Sequence, residues 1–273
     1  MRKLNHLYEI HKFYDTFVID LWGVMHNGIE LNSKAIEAVD NLIKNNKKVV
    51  FLSNAPRPSA EVKLFLNGLK MESKYLEHLV TSGEAAKEAL RINKFGKYFY
   101  HLGPEKDKTL FFDIKENKTS LEKCDFIVCT GLFDENPNDI NYYKKLLKKY
   151  VSRQLICTNP DLTVHRGKKE EYCAGAIAEI FESIGGKVVY FGKPYKEIYK
   201  MCFKKEEKVI AIGDNLRTDI KGANNVKIDS VFILSGVHRS EFKKENELPE
   251  LCNKYKVKIN YFQEQLSWWN DNL

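Results

Sequence analysis

The sequence has no C-x-x-C pair among its six cysteines and no cysteine spacing that suggests a zinc site. Cys124, Cys129, Cys157, Cys173, Cys202 and Cys252 are read as reduced core residues, which fits a cytoplasmic protein. The first residues, M-R-K-L-N-H-L-Y-E-I-H-K, carry charge but no apolar h-region, so no signal peptide is expected. No run approaches the length of a membrane span, so no membrane partner is expected. Arginine is scarce: only Arg2, Arg57, Arg91, Arg153, Arg166, Arg217 and Arg239 stand among 44 cations. The lysines are scattered rather than clustered, unlike a nucleic-acid interface, so no nucleic-acid partner is expected. A formal net charge of +7 then implies a solvated surface and a mild pull on anionic substrates. There is no internal repeat and no low-complexity segment, and the sequon Asn117-Lys118-Thr119 is read as chance.

What is present is an ordinary folded composition, 43% hydrophobic and 30% charged, in 273 residues. That length suffices for an α/β core with one inserted module. Short apolar runs recur, each followed by a helical pattern. Residues 16–20 (T-F-V-I-D) and 48–53 (K-V-V-F-L-S) predict strands, and 33–45 and 59–69 predict the helices after them. Residues 188–192, 209–214 and 230–234 predict strands near the other end. Continuous apolar strands alternating with helices predict a doubly wound parallel sheet. The middle repeats the rhythm, with strands at 98–102, 126–130 and 155–158 and an amphipathic helix at 139–150. The expected layout is a discontinuous core, 1–83 and 187–273, with a second α/β module at 84–186. Trp268 and Trp269 are expected to anchor a terminal helix on the core.

In such a sheet the ligand crevice lies beyond the carboxyl ends of the strands. Asp20, Ser53 and Asp214 each end a predicted strand, and Lys193 follows another in G-K-P. Two carboxylates facing one partly dry crevice repel unless a cation lies between them. Mg²⁺ suits oxygen ligands and bridges carboxylates to phosphate, and phosphoryl transfer is mostly positioning and charge neutralisation.

In order along the chain, D-L-W-G-V (20–24), F-L-S-N (51–54), G-K-P (192–194) and G-D-N-L-R-T-D (213–219) resemble the four motifs of the haloacid dehalogenase (HAD) superfamily. The spacing is similar to class IIA, the NagD-like or p-nitrophenylphosphatase-like branch, and T-N-P-D (158–161) with A-G-A-I-A-E-I-F (174–181) resembles its cap signature. The resemblance spans about residues 15–240. It implies a Rossmann-like core with an inserted class II cap, a Mg²⁺ cofactor and a small phosphorylated metabolite as substrate, in a monomer or homodimer. It implies Asp20 as nucleophile and metal ligand, and the carbonyl of Trp22, Asp214 and Asp219 as the remaining metal ligands or their support. Ser53 and Lys193 would hold the phosphoryl group. Asn54 and Arg57 are further substrate-binding candidates; Asp161, His165 and Arg166, in a cap loop, are candidate specificity residues against the alternative of an exposed loop, and Asn215 either supports the metal shell or completes the turn after Asp214.

The sequence departs from that pattern at Trp22, where the family has a second Asp that protonates the leaving group. Losing a general acid–base group costs about 10²–10⁴-fold in rate. His26, six residues past the nucleophile, is a candidate replacement, against the alternative of a surface-loop histidine. Trp22 itself is a candidate for packing under the loop or stacking on a substrate. The leading expectation is phosphomonoester hydrolysis through an aspartyl-phosphate. The alternatives are a weakly active phospho-ligand-binding module, or another HAD reaction such as phosphoryl transfer or carbon–phosphorus cleavage.

Overall fold

The computed structural model describes residues 1–167 and 169–269. Its strands, in chain order, are β1 (Arg2–Lys3), β2 (Thr16–Ile19), β3 (Lys48–Ser53), β4 (Leu79–Thr81), β5 (Phe99–Leu102), β6 (Phe126–Cys129), β7 (Gln154–Cys157), β8 (Thr163–Arg166), β9 (Lys169–Tyr172), β10 (Lys187–Tyr190), β11 (Val209–Gly213), β12 (Asp229–Ile233) and β13 (Tyr261–Gln263). Seven of them form a parallel sheet in the order β1-β13-β12-β11-β2-β3-β4. β2 and β11 are buried along their whole length, as expected of strands covered on both faces. From β2 the chain winds outward through β3 and β4. It later returns to β11 on the other flank of β2 and winds the opposite way. The order therefore reverses between β2 and β11, and that switch point opens a crevice at their carboxyl ends.

A four-stranded parallel sheet, β10-β7-β6-β5, stands apart from the first and has its own apolar core around Leu102, Ile127, Leu155 and Phe181. β8 and β9 form an antiparallel hairpin. Against the expectation from the sequence, the apolar run at 188–192 does not join the C-terminal strands of the core: β10 pairs with β7 in the smaller sheet. An apolar pattern reports that a strand is buried; it does not report in which sheet.

Helix Ser33–Lys44 starts on Asn32, whose side chain accepts from the backbone N–H groups of Lys34 and Ala35. Helix Ser59–Gly68 begins just after Pro58, which fits the fixed φ of proline at a helix start. The expected terminal helix at Trp268–Trp269 is absent from the described residues. Both indoles instead pack on the N-terminal segment, Trp269 stacking on His6 at 4.6 Å and Trp268 against Tyr8 and His11. All six cysteines are free thiols, five of them buried. No helix among the described residues is long and apolar enough to cross a membrane.

Candidate active site

Asp20 leaves β2 at the switch point, its backbone N–H bonded to the Ile212 carbonyl of β11 at 2.9 Å. Asp214 follows β11 directly, and Asp219 lies in the single π-turn Leu216–Ile220 behind it. The carboxylates of Asp20, Asp214 and Asp219 come within 4.8 Å of one another, all buried. Lys193 Nζ enters this cluster from the loop after β10, donating to Asp20 Oδ1 at 2.5 Å and to Asp219 Oδ1 at 2.7 Å.

Backbone groups hold the acids in place. Val237 N–H donates to Asp214 Oδ2 at 2.8 Å, and Asn215 N–H donates to Asp219 Oδ2 at 3.1 Å. Glycine is required where the chain passes this close. A Cβ on Gly23, which has φ +87°, would lie 2.1 Å from Asp214 Oδ2, and one on Gly236 would lie 2.0 Å from it.

Three carboxylates and one ammonium in a dry crevice leave a formal excess of negative charge. Burial pushes Asp20 well up from the ordinary carboxylate range, with Asp219 and Asp214 adding to the push and Lys193 opposing it. Burial, then Asp219, raises Asp214 to about 7. For Lys193, burial alone would lower the ammonium, but the facing Asp20 and Asp219 outweigh it and hold the group charged. The carboxylates are all hard oxygen donors, and one ammonium among three of them leaves the cluster short of positive charge, which fits a divalent cation such as Mg²⁺.

Ser53 ends β3 beside the cluster, its Oγ accepting from Ala55 N–H at 3.2 Å. Asn54 serves a purpose the sequence reading did not give it. Its Oδ1 accepts from Lys193 N–H at 2.8 Å, and its Nδ2 donates to the Lys193 carbonyl at 3.3 Å, so it positions the lysine. Arg57 lines the same crevice, its Nε 3.7 Å from Asp107 Oδ1 of the smaller-sheet region. Asp161 reaches in from the loop after β7, where Asn215 Nδ2 donates to it at 3.4 Å.

His26 is buried, not a surface-loop residue. Its Nδ1 accepts from Gly28 N–H at 3.0 Å, and its ring meets those of Trp22 and Phe65 edge-on. Burial, with Arg166 nearby, lowers it to about 4, so the imidazole is held in its uncharged form near neutral pH, with Nδ1 accepting and the ring proton on Nε2. Trp22 reaches away from the acids. Its indole N–H donates to the His165 carbonyl of β8 at 2.8 Å, and the Arg166 guanidinium lies over its ring at 5.3 Å. Gly167 N–H adds a bond to the Asn27 carbonyl at 3.1 Å, so the 22–29 loop and the β8–β9 hairpin are joined at several points.

Two groups escaped the sequence reading. His238 Nε2 accepts from Leu216 N–H at 3.0 Å while its Nδ1 bonds Glu241 at 2.5 Å, bracing the turn that carries Asp214 and Asp219. The i,i+3 spacing of His238 and Glu241 was the available signal. Asp107 had none: it lies in the charged string E-K-D-K. The crevice that unites Asp20, Ser53, Arg57, Asp107, Asp161, Lys193, Asp214 and Asp219 has a volume of about 970 Å³ and is walled by both sheets' loops.

Comparison with known proteins agrees with this geometry. Residues 17–114 match a family described as haloacid dehalogenase-like hydrolase, and residues 190–255 match one described as HAD-hydrolase-like. An acid sugar phosphatase of Staphylococcus epidermidis is 27% identical over 249 residues, covering 87% of this chain and 93% of its own. One from Staphylococcus haemolyticus is 28% identical, covering 86% and 91%. Among solved structures, a haloacid dehalogenase-like hydrolase from Brucella suis 1330 superimposes with a TM-score of 0.84 at 25% identity, covering 96% of this chain and 99% of that one. The p-nitrophenyl phosphatase of Archaeoglobus fulgidus shares the fold, with a TM-score of 0.72 at 18% identity over 95% and 99% of the two chains. With both halves of the nucleophile-bearing sheet matched and the likeness running nearly end to end, the chain belongs to the haloacid dehalogenase-like hydrolases.

Proposed function

We propose that the chain is a Mg²⁺-dependent phosphatase of small phosphorylated metabolites that works through an aspartyl-phosphate on Asp20. The observation that carries this reading is the Lys193 ammonium held between Asp20 and Asp219, with Asp214 in the same cluster. The acid sugar phosphatases among its relatives, and the p-nitrophenyl phosphatase among its fold neighbours, point the same way.

Asp20, Asp214 and the Trp22 carbonyl would hold the ion, with Asp219 ordering its surroundings. When bound, Mg²⁺ supplies positive charge against the phosphoryl oxygens and the acids. The remaining work falls to the chain. Lys193 and Ser53 bind phosphoryl oxygens and hold the phosphorus in line with Asp20. An Asp20 oxygen attacks phosphorus, forming a P–O bond as the ester P–O bond breaks, and the leaving oxygen departs with the electron pair and takes its proton from solvent water. Water then attacks the aspartyl-phosphate, returning the Asp20 carboxylate and releasing inorganic phosphate. The domain division proposed is a core of 1–83 with the C-terminal part, and a cap from 84 that extends past 186 to include β10. The β8–β9 hairpin of that cap roofs the crevice.

A second reading has one observation in its favour. Trp22 is tied to the hairpin and the buried His26 disfavours the charged, more acidic form, which weakens both as general acids, and a module that binds phosphorylated ligands with little turnover is the alternative. Assay of a panel of phosphorylated metabolites with Mg²⁺ separates the two. Release of phosphate that is abolished by Asp20→Asn supports hydrolysis; ligand binding without phosphate release by the native chain supports the binding module.

A further inference from the structure

The turn that carries Asp214 and Asp219 is fastened from outside the acid cluster. A helical turn leaves its first backbone N–H groups without partners inside the turn. Here Asn215 N–H goes to Asp219 Oδ2 at 3.1 Å, Arg217 N–H to Asn215 Oδ1 at 2.9 Å, and Leu216 N–H to His238 Nε2 at 3.0 Å. Leu216 is fully buried and His238 is 4% exposed, so water cannot stand in for the imidazole. Its removal would orphan a buried N–H two residues from Asp214, which is costly. The neighbours of His238 hold Asp214 itself. Val237 N–H donates to its Oδ2 at 2.8 Å, and Gly236 passes too close to it to carry a side chain. Residues 236–238 therefore grip the turn on both sides of Asn215.

A histidine accepts at Nε2 only when that nitrogen carries no proton. Glu241 secures the required tautomer, its carboxylate accepting from Nδ1 at 2.5 Å. Asn215 Oδ1, 3.3 Å from Nε2, is an acceptor and gives that nitrogen no proton. Glu241 is fixed in turn by helix Leu248–Tyr255, where Lys254 Nζ donates to it at 2.5 Å and the Tyr255 hydroxyl at 2.8 Å. Burial favours the neutral acid, but Lys254, His238 and Tyr255 outweigh it and hold Glu241 at about 2, so the acceptor stays ionised. Neither His238 nor Glu241 lines the crevice around Asp20, so neither touches substrate there.

We propose that His238, with its tautomer set by Glu241, is a positioning residue for the divalent-cation site. It acts through Leu216 N–H, which fixes where the Asp214 and Asp219 carboxylates stand. Mg²⁺ demands near-ideal oxygen geometry, so a small displacement of that turn weakens its binding. The proposal rests on the Mg²⁺-dependent reading of the same cluster.

Mn²⁺ binding to the substrate-free chain, read from the loss of the free-ion EPR signal, tests this without turnover. The variants are His238→Gln, whose Oε1 reaches about as far as Nε2, His238→Asn, whose Oδ1 stops near the Nδ1 position, and Glu241→Ala. His238→Asn is expected to weaken Mn²⁺ binding at least about tenfold, and Glu241→Ala at least about threefold, while His238→Gln stays within about threefold of native. A role confined to stability would lower the melting temperature in chelator and leave Mn²⁺ affinity of the folded chain native. Affinity within about twofold of native in folded His238→Asn therefore overturns the proposal, as does His238→Gln weakened as much as His238→Asn. If His238→Asn does not fold, Glu241→Ala decides, and native affinity there overturns the proposal. Asp214→Asn separates this from the reading beneath it. A native chain that binds no Mn²⁺, or binding that survives Asp214→Asn, overturns the cation site and the proposal with it. Binding lost in Asp214→Asn but native in the folded His238 and Glu241 variants overturns the proposal alone.

Discussion

The His26 imidazole sits between the Trp22 and Phe65 rings with its Nδ1 held by Gly28 N–H. In the sequence it is a histidine six residues past the nucleophile, and that spacing fits an acid–base group and a turn acceptor equally well. Burial and the Gly28 bond decide between them, and neither is visible without the fold. A group lowered to about 4 is uncharged at neutral pH, and its Nδ1 bond to Gly28 N–H shapes the 22–29 loop. We expect His26→Ala to lower turnover about tenfold by releasing that loop, and His26→Asn, which can still accept from Gly28, to recover most of it. A general acid would not be rescued by Asn. Steady-state rates of both variants check this, and equal loss in the two would return His26 to an acid–base role.

At the scale of elements, the joint between the 22–29 loop and the β8–β9 hairpin replaces what the sequence presented as a missing acid. Trp22 was readable as a departure from D-x-D, but its partner was not. The His165 carbonyl is a backbone atom 143 positions away, and no side-chain pattern encodes it. Other elements divide in the same way. The strands that end in Asp20, Ser53 and Asp214 were legible because a fully buried parallel strand is a continuous apolar run. The sheet to which β10 belongs was not, because pairing depends on the whole topology. Trp22→Phe keeps the ring over which Arg166 lies but deletes the N–H, a bond worth about 1 kcal/mol. If hairpin closure accompanies substrate binding, that variant should raise KM about fivefold and change kcat little, since about 1 kcal/mol corresponds to such a factor. Michaelis curves on one good substrate read the split. A fall in kcat at constant KM would place Trp22 in the chemical step instead of in closure.

Over the whole molecule, the question is how a folded chain tolerates three buried carboxylates with a single buried lysine among them. The four motifs announced which residues would meet, because each lay at a strand end, but not how protonation would share the load once they met. Asp214 is raised to about 7, by burial first and then by Asp219, from an ordinary value of 3.8. Between those two values the folded chain holds a proton that the unfolded chain has released, so metal-free stability falls as pH rises through that window. Mg²⁺ bound only to the folded chain opposes the fall, and protons compete with it at the acid end. In the presence of chelator, the melting temperature should therefore drop between about pH 5 and about pH 7.5. At the upper pH, Mg²⁺ should raise it by at least about 2 °C, and at the lower pH by less. Asp214→Asn cannot titrate and loses a ligand, so it should show a shallower pH slope and a smaller Mg²⁺ response. Thermal melts of the two chains at both pH values measure all of this. A native chain indifferent to Mg²⁺ at the upper pH would mean that Lys193 alone balances the cluster and that the crevice holds no cation.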